Sequence, residues 1–132
     1  MQSKNHIKSF KDLEVYQNTY KIMLVVMKEI IPTLPENEKY DLKDQLSRAS
    51  KSIPRLIAEG YAKRHQKAGF QKYLDDAMAE CNEMIVSLEQ AKDLYNVKPA
   101  TIAMEDLIDL YDKSERQLHN LSMAWTNFKR KK

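Results

Sequence analysis

The sequence predicts an all-α protein, an up-and-down antiparallel four-helix bundle, and three observations carry the prediction. Only two glycines and four prolines interrupt 132 residues, too few breakers for a sandwich of short strands with a turn about every ten residues. Apolar residues recur at spacings of three and four along four long stretches, which is the period of a helix face. The breaks between those stretches are short, and short connections favour antiparallel neighbours. At 42% apolar and 31% charged, the chain has the composition of one globular domain with a real core. It divides into a loose arm at 1–9, a bundle at 10–128 and a basic tail at 129–132. Helices of about 20–28 residues would be roughly 30–40 Å long.

The first helix opens at Ser9 or at Lys11 and Asp12, with Ser9 and Asp12 spaced as a loose capping box. Its expected buried stripe is Leu13, Tyr16, Tyr20, Met23 or Leu24, Met27 and Ile30 or Ile31. Pro32 and Pro35 close it, since neither donates the amide a continuing helix needs. Glu36, Asn37 and Glu38 start the second helix with acids at its positive end. That helix buries Leu46, Ala49, Ile53 and Leu56 or Ile57, and reaches Gly60, either as its cap or a turn before its end. Pro54 lies inside it and either kinks it or divides it near residue 53.

Residues 63–69 connect to the third helix, whose stripe is Phe70, Tyr73 or Leu74, Ala77, Cys81, Met84 or Ile85, Leu88, Ala91 and Leu94 or Tyr95. Residues 96–99 break the pattern, and Pro99 suits the first turn of the fourth helix, where a missing amide is harmless. Ile102, Leu107 or Ile108, Leu110 or Tyr111, Leu118, Leu121, Trp125 and Phe128 continue the stripe.

A second, polar row runs along the second helix. Gln45, Ser52 and Glu59 are seven apart, and Arg48 precedes Glu59 by eleven residues, so all four share a side. Such a row is either chance spacing on a solvated face or a seam in which each group needs a partner. Arg48 and Glu59 stand about 16 Å apart along the axis and cannot pair. Glu83 of the third helix is the candidate partner for Arg48 across the antiparallel pair.

The run QLSRASKSIPRLIAEGYAKR at 45–64 resembles the signature of the bacterial four-helix-bundle proteins encoded in intervening sequences of 23S ribosomal RNA genes. FKDLEVYQ at 10–17, LPENEKYDLKDQL at 34–46 and FQKYLDDAMAECNEM at 70–84 agree in order and spacing, so the resemblance covers roughly residues 10–95. Two positions depart from that pattern: Leu56 stands where the family usually has Asn, and Ala79-Glu80 where it tends to have Gly-Ser. The resemblance implies a ring-shaped homopentamer without enzymatic activity. More distantly, the chain is similar to accessory proteins of diversity-generating retroelements, basic pentamers that work with a reverse transcriptase and its RNA.

Charge is segregated. Residues 43–72 carry eight cations against Asp44 and Glu59, a net +6; residues 75–115 carry eleven acids against Lys92, Lys98 and Lys113, a net −8; residues 116–132 return +5. The arrangement fits solvated helix faces and equally an electrostatic footprint for an anionic partner or a neighbouring copy's acidic helices. The candidate nucleic-acid-binding residues are Arg55, Lys63, Arg64, Lys67 and Lys72, joined by Lys129 and Arg130 of the tail. Repeated around a ring, they would form a continuous positive surface that follows a phosphate backbone without reading sequence. Tyr61 and Phe70 lie beside them, Phe70 being better explained as core.

Nothing in the sequence points to catalysis, a metal or a cofactor. His6, His65 and His119 lack ligand spacing, no Glu-x-x-His occurs, and Gly60 and Gly69 make no phosphate loop. Asp75, Asp76 and Glu80 read as solvent-facing, and Cys81 as a core thiol. One cysteine forms no internal disulfide, the N-terminal residues lack an apolar core, and the longest apolar run, 22–27, is too short to span a bilayer. The expectation is a cytoplasmic, non-enzymatic homo-oligomer without a membrane or small-molecule partner. RNA or an RNA–protein complex is its expected ligand, and a protein–protein scaffold or a retroelement accessory role the alternatives.

Overall fold

The computed structural model describes residues 7–66 and 68–130, the last five of these as backbone alone. Its four α-helices are α1 (Glu14–Val25), α2 (Leu42–Ala62), α3 (Gly69–Tyr95) and α4 (Met104–Arg130), with no strand among the described residues. Helix α3 packs on α2 and α4, and α1 lies against both of these to close the bundle. The α2–α3 pair is antiparallel: Ser52 meets Glu80, Gly60 meets Tyr73, and Glu38, just ahead of α2, meets Tyr95. Leu46, Ile53 and Ile57 of α2 fill the core with Leu74, Ala77, Cys81, Met84 and Leu88 of α3 and Leu107, Tyr111 and Leu118 of α4.

The stripe expected for α2 is buried, and so is that of α3 from Phe70 to Ala91, although Leu94 is exposed and Tyr95 half-buried. Of the stripe expected for the first helix, Leu13, Met23 and Ile30 are buried, but the rest of α1 turns a different row inward. Val15, Thr19, Ile22, Val26 and Ile30 are buried, while Tyr20 is 44% exposed and Tyr16 and Met27 are half-buried. Both rows are largely apolar at helical spacing, and the narrower β-branched row is the one that fits against α2 and α4. Thr19 can join it because its hydroxyl donates to the Val15 carbonyl at 2.8 Å. At its end α1 widens into a π-helical turn at Val26–Ile30, where the Ile31 amide bonds to the Val26 carbonyl. The wider turn keeps Val26 and Ile30 on one face, and both are fully buried.

Helix ends depart from expectation for long-range reasons. Ser9 and Asp12 do form a capping box, but on a single 3₁₀ turn, Phe10–Asp12, before α1 begins at Glu14. Glu36–Glu38 is likewise only a 3₁₀ turn, and α2 starts at Leu42, whose amide donates to Glu38 Oε1 at 3.2 Å. Pro99 lies in the α3–α4 connection rather than in the first turn of α4, which starts at Met104. That connection is anchored by Glu29: its carboxylate accepts the Thr101 amide at 2.7 Å and the Thr101 hydroxyl at 2.6 Å. Asn96 ends α3 in the left-handed region, at φ 54°, and its amide donates to the Lys92 carbonyl.

Pro54 divides nothing. Helix α2 runs unbroken through it, with Pro54 itself buried, so packing offsets the amide bond lost at the Ser50 carbonyl. Gly60 does not end the helix either. A Cβ there would stand 2.7 Å from the Tyr73 Cβ and 3.0 Å from Phe70 Cδ1, so its role is the close approach of α2 and α3. At Gly69 a Cβ would meet the Lys63 carbonyl oxygen at 2.5 Å, which fixes the tight link between the two helices.

Candidate nucleic-acid interface

Because the helices alternate in direction, the end of α2, the start of α3 and the end of α4 come together. Aromatic stacking holds this end. Tyr61 meets Phe70 edge-on with centroids 6.2 Å apart, and Phe70 meets Trp125 at 5.2 Å. The Trp125 indole donates back to the Arg64 carbonyl at 3.3 Å. Phe70 is buried and serves as core, not as a free stacking surface.

The cations at this end are held by rings and neutral oxygens instead of carboxylates. Lys63 Nζ donates to the Tyr73 hydroxyl at 2.9 Å and lies 5.2 Å from that ring's centroid. The contact with Tyr73, helped by the charge of Glu59, holds the Lys63 ammonium above its ordinary pKa, so it stays charged at neutral pH. Arg64 Nη1 donates to the Tyr61 carbonyl at 2.8 Å, and its guanidinium sits 4.0 Å from the Tyr61 centroid. Arg55 and Lys72 are exposed on α2 and α3. None of the described ion pairs (Lys43 with Glu36, Arg48 with Asp44, Arg116 with Asp112) involves these four cations. Lys67 and the side chains of Lys129 and Arg130 lie outside the described residues, although the α4 backbone carries the latter two past Trp125.

The polar row of α2 is only partly a seam between helices. Ser52 crosses to α3, its hydroxyl donating to Glu80 Oε2 at 2.7 Å, so Glu80 is a seam residue and not simply solvent-facing. Gln45 reaches Asp41 at 3.4 Å, and Glu59 is exposed. Arg48 bonds to Asp44 on its own helix at 3.0 Å, both side chains at least half exposed. It therefore finds a partner one turn away, contrary to the pairing with Glu83. It reaches Glu83 only through its field, which lowers that carboxyl's pKa; partial burial first, and then Glu80, outweigh it and raise the pKa overall.

Concavities also open between the helices. A groove between α1 and α2, about 330 Å³ in volume, places Phe10, Tyr16 and Tyr20 opposite Lys51, Pro54 and Arg55. Sequence reasoning missed it by assigning Tyr16 and Tyr20 to the core; their i,i+4 spacing beside a likewise spaced Lys51 and Arg55 was the available signal. A more polar hollow of about 540 Å³ between α3 and α4 includes Asn82, Glu115, Arg116 and His119. Among the described residues no three His, Cys, Asp or Glu side chains are grouped to hold a metal ion, and no helix is long and apolar enough to cross a membrane. Burial pushes the Cys81 thiol up to about 12, so it stays protonated in the core.

Comparison with known families matches residues 11–120 to the 23S rRNA-intervening sequence protein. Against individual curated proteins the chain has no match. The family match spans the bundle from the turn ahead of α1 into the second half of α4. The chain belongs to the 23S rRNA-intervening sequence protein family.

Proposed function

We propose that the protein is a non-enzymatic, oligomeric RNA-binding module whose basic bundle end contacts phosphate. One observation carries the reading: Lys63, Arg64 and Lys72 stand where α2 ends and α3 begins, with Arg55 eight residues back along α2, and none of the four is in a described ion pair. Cations outside ion pairs can meet phosphates and supply affinity through counterion release. The family's link to 23S rRNA makes structured ribosomal RNA the first ligand to try. A cyclic homopentamer, the assembly that the resemblance implies, would repeat the patch and multiply its phosphate contacts. The surface belongs in the cytoplasm, where such RNA is found.

The test is fluorescence anisotropy with ribosomal RNA fragments across a salt series, beside sedimentation equilibrium for the assembly. Binding should weaken by about 0.9 logarithmic units per tenfold rise in salt for each duplex phosphate neutralised. Changing Arg55, Lys63, Arg64 and Lys72 together to Gln should abolish it while leaving the melting temperature close to the parent's. Absence of binding at low salt, or a quadruple variant that binds like the parent, would overturn the proposal.

A further inference from the structure

The groove between α1 and α2 combines two features that the basic end lacks. Its α1 wall is a ladder of rings: Phe10 meets Tyr16 edge-on at 4.9 Å, and Tyr16 meets Tyr20 at 6.0 Å in a tilted arrangement. Tyr20 is 44% exposed, which leaves its ring accessible from the groove. The α2 wall is the flat ring of buried Pro54 between two cations one turn apart, Lys51 and Arg55. Neither cation is in a described ion pair. The groove's volume, about 330 Å³, is at the small end of the roughly 300–1,000 Å³ of ligand sites.

These features together select an occupant. A purely apolar helix would cover the rings but strand two charges against hydrocarbon. A duplex would satisfy the charges, yet its bases are stacked within the helix and unavailable to the rings. An unpaired nucleotide satisfies both walls, its base against the tyrosines and its phosphate on Lys51 and Arg55. Resting on the RNA-binding reading above, the geometry points to the α1–α2 groove as a subsite for an unpaired nucleotide of single-stranded RNA, stacked on Tyr20 and Tyr16 and anchored by Lys51 and Arg55. Arg55 links this subsite to the basic end, so one RNA can present duplex to the end and an unpaired base to the groove.

The experiment compares binding of a single-stranded oligouridylate of about 12 nucleotides, within the usual site size, with binding of an RNA duplex of equal length. Tyr20→Ala should weaken the single strand by roughly 5- to 160-fold, the range for losing one base–aromatic stack, and leave the duplex within about twofold. Tyr20→Phe should restore single-strand binding. Oligouridylate carrying 5-iodouracil should photocrosslink in the parent protein to Tyr16 or Tyr20, a readout independent of whether Tyr20→Ala folds. Equal effects on single strand and duplex, or crosslinks mapped only elsewhere, would overturn the subsite. The RNA-binding proposal would still stand if the quadruple basic variant lost duplex binding. Failure of both RNAs to bind the parent would end both ideas. A change in sedimentation caused by Tyr20→Ala, with RNA binding unaltered, would give the groove to a second copy of the chain and likewise overturn the subsite.

Discussion

Gly60 of α2 and Tyr73 of α3 meet so closely that a methyl group at position 60 would stand 2.7 Å from the Tyr73 Cβ. The contact sets the spacing of the two helices beside the candidate interface, and Tyr73 is also the ring that holds Lys63. Alanine is the better helix former by about 1 kcal/mol, so propensity alone predicts that Gly60→Ala stabilises. The clash is with an atom fixed to the backbone, and overpacking should win. Gly60→Ala is expected to lose about 1–2 kcal/mol in urea denaturation; a variant more stable than the parent would show that α3 can shift at little cost.

Glu83 should make stability depend on pH. Partial burial is the main cause that raises its carboxyl above the ordinary 4.5; Glu80 adds to it and Arg48 opposes. A raised carboxyl favours the protonated form in the fold, so its contribution is complete below pH 4.5 and is lost as pH rises through the folded value. Glu83→Gln mimics that neutral form. It should melt above the parent at pH 7 and level with it at pH 4, as followed by circular dichroism. A lower melting point at pH 7 would mean that the charge is needed, as an Arg48 pair would require.

The Glu29 clamp has the opposite sign. Both Thr101 donors hold its carboxyl below the ordinary 4.5, the side-chain bond being the larger cause. Its contribution is therefore present above pH 4.5 and is lost as pH falls through the lower folded value. Hydrogen exchange should show the Thr101 amide protected at pH 6, above that window, and progressively released in acid. In Glu29→Gln the protection should already be reduced at pH 6. Unchanged protection in that variant would remove Glu29 as the anchor of the α3–α4 connection.

Tyr111 is fully buried, and its hydroxyl has no hydrogen-bond partner among the described residues. Burial, with Cys81 nearby, drives its pKa upward, so it remains neutral. Tyr111→Phe keeps the ring that fills the core and deletes an unsatisfied group. Stability should hold or rise, by about 1 kcal/mol. A loss of similar size in chemical denaturation would reveal a partner for the hydroxyl.

The buried faces of α2 and α3 were legible in the sequence because each offers one dominant apolar row, from Leu46 to Ile57 and from Phe70 to Ala91. Cys81 follows from its place in that row. The α1 face was legible only in part: Leu13, Met23 and Ile30 were expected and are buried, whereas Tyr16 and Tyr20 form a second row of large rings at the same helical spacing as Val15 and Ile22. Which row turns inward depends on the surface that α2 and α4 present. The aromatic row was left outside, and it forms the groove. The basic character of the α2–α3 link was likewise visible, but its contacts were not, because a ring and a carbonyl placed by packing, and no described ion pair, hold Lys63 and Arg64.

By itself, then, the sequence determined four helices, their order and the core rows of α2 and α3, because a 3.6-residue period and a scarcity of breakers act locally. Tertiary structure alone decided where α4 begins, which row of α1 is buried and which partners the charged groups take. Glu29 fixes Thr101 from 72 residues away, and Glu80 reaches Ser52 across 28. Such contacts exist only once the chain has closed on itself, and local periodicity carries no record of them.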